Sequence, residues 1–381
     1  MTNTLLAYDE SSLDIPRKQD ITTFRCCDFF AGSGLVTEGL KSRFKSVWAN
    51  DICSKKQQVF EANHGSSHFV AGSIESVCGK AIPRHELSWS SFPCQDLSLA
   101  GNMDGIGGKR SGMVWEWFRV LDEMDSLPPV VVAENVVGLV SSKEGEHYVS
   151  LHNALSERGY RVGAVLLDAV NWVPQSRPRI FVVGVQKHID IKGFVSDKPN
   201  WAHSKQIINL ADKVSDWCWW DLPEPLSENI SLQSLIDFDH PLDNPEKSAK
   251  NIAMISESHM NKLKELEKEG RRVFPGYMRI RNGQQFLELR FDDIAGCLRA
   301  PTGGSSRQHL VISISGELHT RLLSISETAK LMGAPNGYKI PGSYNDGYRA
   351  MGDAVAMPAV KFLSENLLAP LANRVAKIKQ I

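Results

Sequence analysis

The 381-residue sequence predicts an α/β fold: a parallel sheet covered on both faces by helices, with a second, smaller region rich in arginine. Three observations carry this reading. Short apolar runs alternate with helically spaced segments from about residue 23 to Val185. Those apolar runs end in polar or glycine-rich residues, as strands ending at a ligand-bearing sheet edge do. The alternation then stops, and tryptophans, prolines and short strand-like stretches replace it.

TFRCCDFF (23–30) is the first strand, followed by the turn AGSG and the helical LVTEGLKSRF. SVWAND (46–51) is a second strand and SKKQQVFEANH a helix. HFVAGSI (68–74) and ELSWSSF (86–92) continue the series, then the helix GMVWEWFRVLDEM and the strand PVVVAEN (129–135). YVSLHNALSERGY reads as a helix, and RVGAVLLDA (161–169) and RIFVVGV (179–185) close the sheet. Nearly continuous apolar strands separated by helices imply burial on both faces. Beyond Val185 come Trp201, Trp217, Trp219 and Trp220 without regular alternation, then one solvated helix, HMNKLKELEKEG (259–270). LLSISETAKLMGAP carries a capping-box pattern at Ser324 and Glu327. AVAMPAVKFLSENLLAPL has the spacing of an amphipathic helix that returns to the first domain.

Composition is that of a soluble globular protein, 42% hydrophobic and 23% charged, with a net charge of −1. This argues against a surface basic all over, but not against a local groove. From Arg271 to Arg307 seven arginines face three acids, a net of +4. No apolar run approaches the roughly 18 residues of a membrane span. The polar, acidic start has no signal-peptide core, so residues 1–21 read as a flexible leader and the location as cytoplasmic. Seven scattered cysteines with no CxxC pair fit neither a zinc site nor a disulfide framework.

Four stretches carry chemistry. DFFAGSG (28–34) lets the backbone approach a ligand at a helix N-terminus, and Asn50-Asp51 follows about 20 residues on, where a carboxylate can hold ribose hydroxyls. The bland alternative is a structural turn with a capping aspartate. Cys94 follows Pro93 and precedes a loop, AGNMDGIGGKRSG (100–112), with five glycines, Lys109 and Arg110. A buried inert thiol is the commoner fate of a lone cysteine; an oriented one beside a closing cationic loop suits a nucleophile. Glu134 leaves an apolar strand, which raises a carboxyl's pKa and favours a neutral acid. Arg177 and Arg179, two apart at a strand entrance, project to one face and suit an anionic or carbonyl-bearing ligand.

In order and spacing, DFFAGSG, FPCQ, AEN, QSRPR, LMGAP and GDAV resemble the motifs of the cytosine-5 DNA methyltransferases, from about residue 23 to 187 and again from about 320 to 370. The resemblance implies a Rossmann-like, S-adenosylmethionine-dependent methyltransferase sheet over residues 22–187 and 320–381. It also implies a mixed, β-rich target-recognition domain over 188–319. Carried onto this chain, it makes Cys94 the nucleophile, with Glu134 on the base edge, Arg179 holding the base and positioning Glu134, and Arg177 supporting the nucleophile or a phosphate. The methyl donor would sit among Phe30, Gly32, Gly34, Asp51, Ile52, Ser73, Ile74, Pro93 and Asp353, leaving as S-adenosylhomocysteine, with no metal. Double-stranded DNA would meet Gln95, Ser98, Arg110, Arg299, Ser305, Ser306 and Arg307. A bacterial or phage-encoded, nucleoid-associated monomer paired with a cognate restriction endonuclease is the implied setting. Two positions depart from the family pattern. Ser73 stands where an acid commonly holds the adenine amino group, and Asp353 stands where the final motif usually has asparagine.

Three other readings compete. The same chemistry on transfer RNA is one, and a non-catalytic DNA-binding relative is another. An unrelated dinucleotide-dependent dehydrogenase would explain the turn and Asp51 but leave Pro93-Cys94-Gln95 idle.

Overall fold

The computed structural model describes residues 23–93, 112–226, 230–299 and 307–378. Strands β1 (Phe24–Phe29), β2 (Phe44–Asp51), β3 (Phe69–Ala71), β4 (Leu87–Ser90), β5 (Val130–Val136), β6 (Tyr160–Asp168) and β7 (Pro178–Gln186) form one sheet, in the order β3-β2-β1-β4-β5-β7-β6. β1 to β5 pair in parallel, as the alternation predicts. β7 departs from that expectation and runs antiparallel to both β5 and β6. Only Ala169–Arg177 separates β6 from β7, too short a span for the dozen or more residues of a parallel crossover. The chain therefore turns back on itself. The reversal brings the start of β7, with its arginines, to the edge where the parallel strands end.

Alternation along β5 divides the core. Val130 and Val132 face one apolar layer with Phe24, Trp89 and Phe181, while Val131 and Ala133 face a second with Phe29, Trp117 and Tyr160. Each of these fully buried valines contributes about 1.5–3 kcal/mol relative to exposure. The helices between the strands are α1 (Leu35–Leu40), α2 (Ser54–His64), α3 (Met113–Glu123), the short α4 (Gly138–Ser141) and α5 (Glu146–Glu157). Trp117, Phe118 and Leu121 of α3, with Leu151 and Leu155 of α5, cover the second layer.

Past the large sheet the chain forms β8 (Val195–Ser196), α6 (Lys205–Ala211), β9 (Trp219–Trp220), α7 (Leu232–Leu235), α8 (Pro245–Ile252) and α9 (Glu257–Lys268). A second sheet, all antiparallel, has the order β11-β10-β12-β13, from β10 (Val273–Arg281), β11 (Gln284–Leu289), β12 (His309–Ile314) and β13 (Glu317–Leu322). The expected domain limits and the packing do not coincide. Ile189, Ala202, Trp220 and Leu222 lie in the first layer of the large sheet and Ile207 and Leu210 in the second, because the tryptophan-rich stretch covers that sheet rather than its neighbour. At the other limit, β13 continues past 319 to Leu322.

The returning segment comprises α10 (Ile325–Leu331), α11 (Tyr344–Asp353), and α12 (Met357–Leu363), which runs through a π-turn at Ser364–Leu368 into Ala369–Ile378. α12 seats against α1 at Gly39, where a Cβ would come 2.8 Å from that of Val360. The predicted capping box at Ser324 and Glu327 is present, and it has a further partner. Arg321 makes two hydrogen bonds to Glu327, 2.7 and 2.6 Å, with both side chains buried. Glu327 also accepts from the backbone of Ser324 and Asp237. Removing one member of such a pair leaves a buried charge uncompensated. We therefore expect Arg321→Ala to lower the unfolding free energy by about 3–5 kcal/mol in urea denaturation.

Candidate active site

The turn after β1 places three residues in the left-handed region, Phe30 at φ 59°, Gly32 at 56° and Gly34 at 83°. Glycine meets this requirement without cost; an aromatic residue does not, so Phe30 is held there by its surroundings. Asp51, at the end of β2, fixes the turn: one carboxylate oxygen accepts from Gly32 N at 2.9 Å and the other from Cys53 N at 2.8 Å. Tyr338 anchors it from the returning segment, donating to Ser33 O at 2.6 Å, and Ser33 donates to Ala350 O.

Beside this turn Ile52 is 74% exposed, a large apolar surface next to a carboxylate. Space above Gly32 is clear to 3.9 Å, where it meets Lys56 Cδ. An apolar wall, a carboxylate and open glycine backbone fit an adenosine with its attached amino-acid moiety. Lys56 Nζ lies 2.7 Å from Asp353, so the unexpected acid has a cation beside it. Ser73 is engaged locally, accepting from Glu75 N and donating to the Glu75 carboxylate, while Ile74 turns its side chain into the core. Pro93 is exposed at the end of the described stretch.

Asp28, fully buried below the turn, accepts from Thr37 Oγ1 at 2.9 Å. Burial pushes its carboxyl up to about 7, against the Thr37 hydrogen bond and with some help from Asp51. Because the folded protein holds this proton more tightly than the unfolded chain, stability falls as pH rises from about 4 to about 7, by on the order of 4 kcal/mol. In denaturation series between pH 5 and 8, Asp28→Asn should flatten this decline.

Glu134, near the end of β5, is buried, and Arg179 Nε approaches its carboxylate to 3.4 Å. Register explains the contact: Val136 pairs with Arg179 and Glu134 with Phe181, so Glu134 and Arg179 are diagonal neighbours on one face. Burial raises the Glu134 carboxyl, outweighing Arg179, Arg177 and the Ser91 hydroxyl, which pull it down. Asn135 Nδ2 donates to Phe92 O at 3.0 Å, tying the segment that leads to Pro93 onto β5.

Arg177 does not share the setting of Arg179. It lies just before β7, and its guanidinium donates to the carbonyls of Leu298 (3.0 Å), Gly352 (2.8 Å) and Ala354 (2.5 Å). These contacts clamp the second-sheet region and the returning segment to the edge of the large sheet. Burial pulls its pKa down to about 10, which leaves it charged at neutral pH. Gln175 works alongside, bonding Leu331 O and Leu298 N.

Sequence reasoning overlooked Cys297. Its Sγ lies 3.3 Å from Arg177 Nη1 and 3.9 Å from Arg179 Nη2. Burial alone would raise this thiol, but the two arginines hold it below the usual cysteine range. Isolated in an irregular stretch, it carries no signal in the sequence. By contrast Cys26 and Cys27 are buried and pushed well above that range, as inert thiols are. Of the expected DNA contacts, Arg299 is exposed, and Arg307 donates to Asn345 at 2.5 Å beside the Tyr344 ring. Cys94, Gln95, Ser98, Lys109, Arg110, Ser305 and Ser306 lie outside the described residues.

The family C-5 cytosine-specific DNA methylase matches residues 24–369, which span both sheets and the returning segment. The chain belongs to this family. It is an enzyme of the DNA cytosine-5 methyltransferase class, and the family's methyl donor is S-adenosylmethionine. Among curated relatives it is 25% identical over 359 residues to the type II methyltransferase M.HhaI of Haemophilus parahaemolyticus, covering 93% of this chain and 97% of that protein. To M.FnuDI of Fusobacterium nucleatum it is 26% identical over 355 residues, covering 92% and 96%. In fold, this DNA methylase resembles the crystal structure of the S. pombe Dnmt2 methyltransferase (TM-score 0.58, 18% identity, 92% of this chain and 99% of that one). It also resembles a putative DNA modification methyltransferase encoded within an E. coli prophage (TM-score 0.53, 16% identity, 92% and 99%). Among the described residues of this methylase, no helix is long and apolar enough to cross a membrane.

Proposed function

We propose that this methylase transfers a methyl group to C5 of a cytosine flipped out of a specific duplex DNA sequence, through a covalent bond between Cys94 and C6. The observation that carries the reading is the buried Glu134 beside Arg179, at the same sheet edge as the Gly32–Gly34 turn and the strand end leading to Cys94.

A cytosine ring at C5 is a weak nucleophile. Addition of the Cys94 thiolate to C6 moves the ring electrons toward C5, which becomes enamine-like. Glu134, its carboxyl raised by burial, donates a proton or hydrogen bond at N3 and contacts the exocyclic amine as charge develops in the ring. Arg179 holds O2 and keeps Glu134 in place. Arg177 acts as a positioning residue, through its clamp on Leu298, Gly352 and Ala354. S-Adenosylmethionine, when bound, supplies an electrophilic methyl on a sulfonium and leaves as the thioether S-adenosylhomocysteine. A base then removes the C5 proton, its bonding electrons form the C5=C6 bond and expel Cys94 as thiolate, and a proton taken up at N3 returns to Glu134.

For the donor, Phe30 would face adenine beside Ile52, Asp51 the ribose, and Gly32 and Gly34 the methionine portion near Asp353 and Lys56. Ser73, backbone atoms of Ile74, and Pro93 complete this pocket. The target base must leave the stack to reach Cys94. Gln95, Ser98, Arg110, Arg299, Ser305, Ser306 and Arg307 would contact the duplex around it. The relatives' type II naming supports a restriction–modification setting with a cognate endonuclease, and a monomeric cytoplasmic enzyme near the nucleoid fits it.

Duplexes in which every cytosine is 5-fluorocytosine test the chemistry. Fluorine cannot leave C5 as a proton does, so elimination is blocked after methyl transfer. The protein should form a donor-dependent adduct with such DNA that survives denaturation and that Cys94→Ser does not form. Absence of an adduct from protein that methylates ordinary DNA would refute the covalent step.

A further inference from the structure

The hairpin of β10 and β11 turns through Asn282 and Gly283, both at positive φ (50° and 78°), the two-residue turn that follows strand twist. Its register pairs Tyr277 with Glu288, Arg279 with Phe286 and Arg281 with Gln284, which places these six side chains on one face. They line an open groove of about 640 Å³. One end of the groove reaches the candidate active site, because Tyr277 donates its hydroxyl to Cys297 O at 2.8 Å and Cys297 touches both Arg177 and Arg179.

The arginines of this face are not equivalent. Arg281 is held by Glu288 through two bonds of 2.7 and 3.1 Å, and Arg290 by Asp292 through bonds of 3.1 and 2.5 Å. Arg279 makes no ion pair with a carboxylate among the described residues. Its guanidinium instead lies 5.2 Å from the centroid of the Tyr277 ring, whose hydroxyl is itself pinned. This cation–π contact holds the guanidinium over the ring while the side chain stays exposed on the strand. A two-stranded ribbon is of a size to enter a major groove, where a planar pair of donors matches the O6 and N7 acceptors of guanine.

We propose that Arg279 is a specificity-determining residue that reads a guanine in the recognition sequence beside the target cytosine, with Tyr277 as the platform that orients it. The assignment rests on the duplex DNA reading above.

The test uses the full-length enzyme with S-adenosylmethionine and a duplex library randomised around cytosine, sequenced for 5-methylcytosine. The wild-type motif should contain a guanine at which Arg279→Ala and Arg279→Lys both lose selectivity, by roughly 5- to 150-fold, with the other positions intact. Tyr277→Leu should relax the same position and no other. The salt dependence of duplex binding should stay unchanged. A uniform loss over all sequences with the salt slope reduced by about one would make Arg279 a phosphate contact and overturn the assignment. An unaltered motif in both Arg279 variants would overturn it too. Wild-type enzyme that methylates no duplex at all would instead overturn the DNA reading beneath it.

Discussion

Cys94→Ala should lower methyl transfer to DNA by at least about 10⁴-fold, because in the proposed mechanism the thiolate is what activates C5 toward the sulfonium. Binding of duplex DNA and of S-adenosylhomocysteine should persist, since neither depends on the sulfur. Up to Pro93, the residue before Cys94, the chain is held in place. Ser91 N donates to Phe29 O, and Phe92 is buried with its carbonyl bonded to Asn135. The chain therefore reaches Pro93 in fixed register with both the donor-side turn and the strand bearing Glu134. Single-turnover transfer of labelled methyl, with binding followed in parallel, separates loss of chemistry from loss of affinity.

Glu134→Gln should cost about 10²- to 10⁴-fold in the same assay, the range expected for losing a positioned general acid. An amide can still occupy the space between β5 and Arg179, but it cannot give up a proton to the ring. The pH profile gives the sharper readout. Burial raises the Glu134 carboxyl, so its neutral form persists above the ordinary carboxylate range. If that form is the active one, the wild-type rate falls as pH rises through the raised pKa, and E134Q shows no such limb. A variant that keeps both the rate and the limb would remove Glu134 from the chemistry.

Much of this was legible in the sequence, for identifiable reasons. Strands and helices of the first half announce themselves by continuous apolar runs and 3.6-residue spacing, and the capping box at Ser324 and Glu327 is a local pattern that needs no tertiary information. The DFFAGSG turn and Glu134 were legible because glycines and a carboxylate at strand ends are out of place in a purely structural reading. What escaped depends on contacts between distant segments. The antiparallel sense of β7 was implicit in the short span between two strands, but apolar runs do not record direction. Arg177 and Arg179 look alike in QSRPR, yet one is enclosed by carbonyls from residues 298, 352 and 354 and the other meets Glu134. Cys297 and Lys56 acquire meaning only through partners far along the chain. The tryptophans of 201–220 read as the start of another domain because their irregular spacing hides that they cover the large sheet.

Under the proposed function this methylase makes 5-methylcytosine in duplex DNA. Purified protein incubated with labelled S-adenosylmethionine and either mixed-sequence duplex DNA or RNA, followed by digestion to nucleosides and mass spectrometry, tests it most directly. Label should appear in DNA, all of it as 5-methylcytosine and confined to one sequence context. Label appearing only in RNA, or on any base or position other than C5 of cytosine, would contradict it.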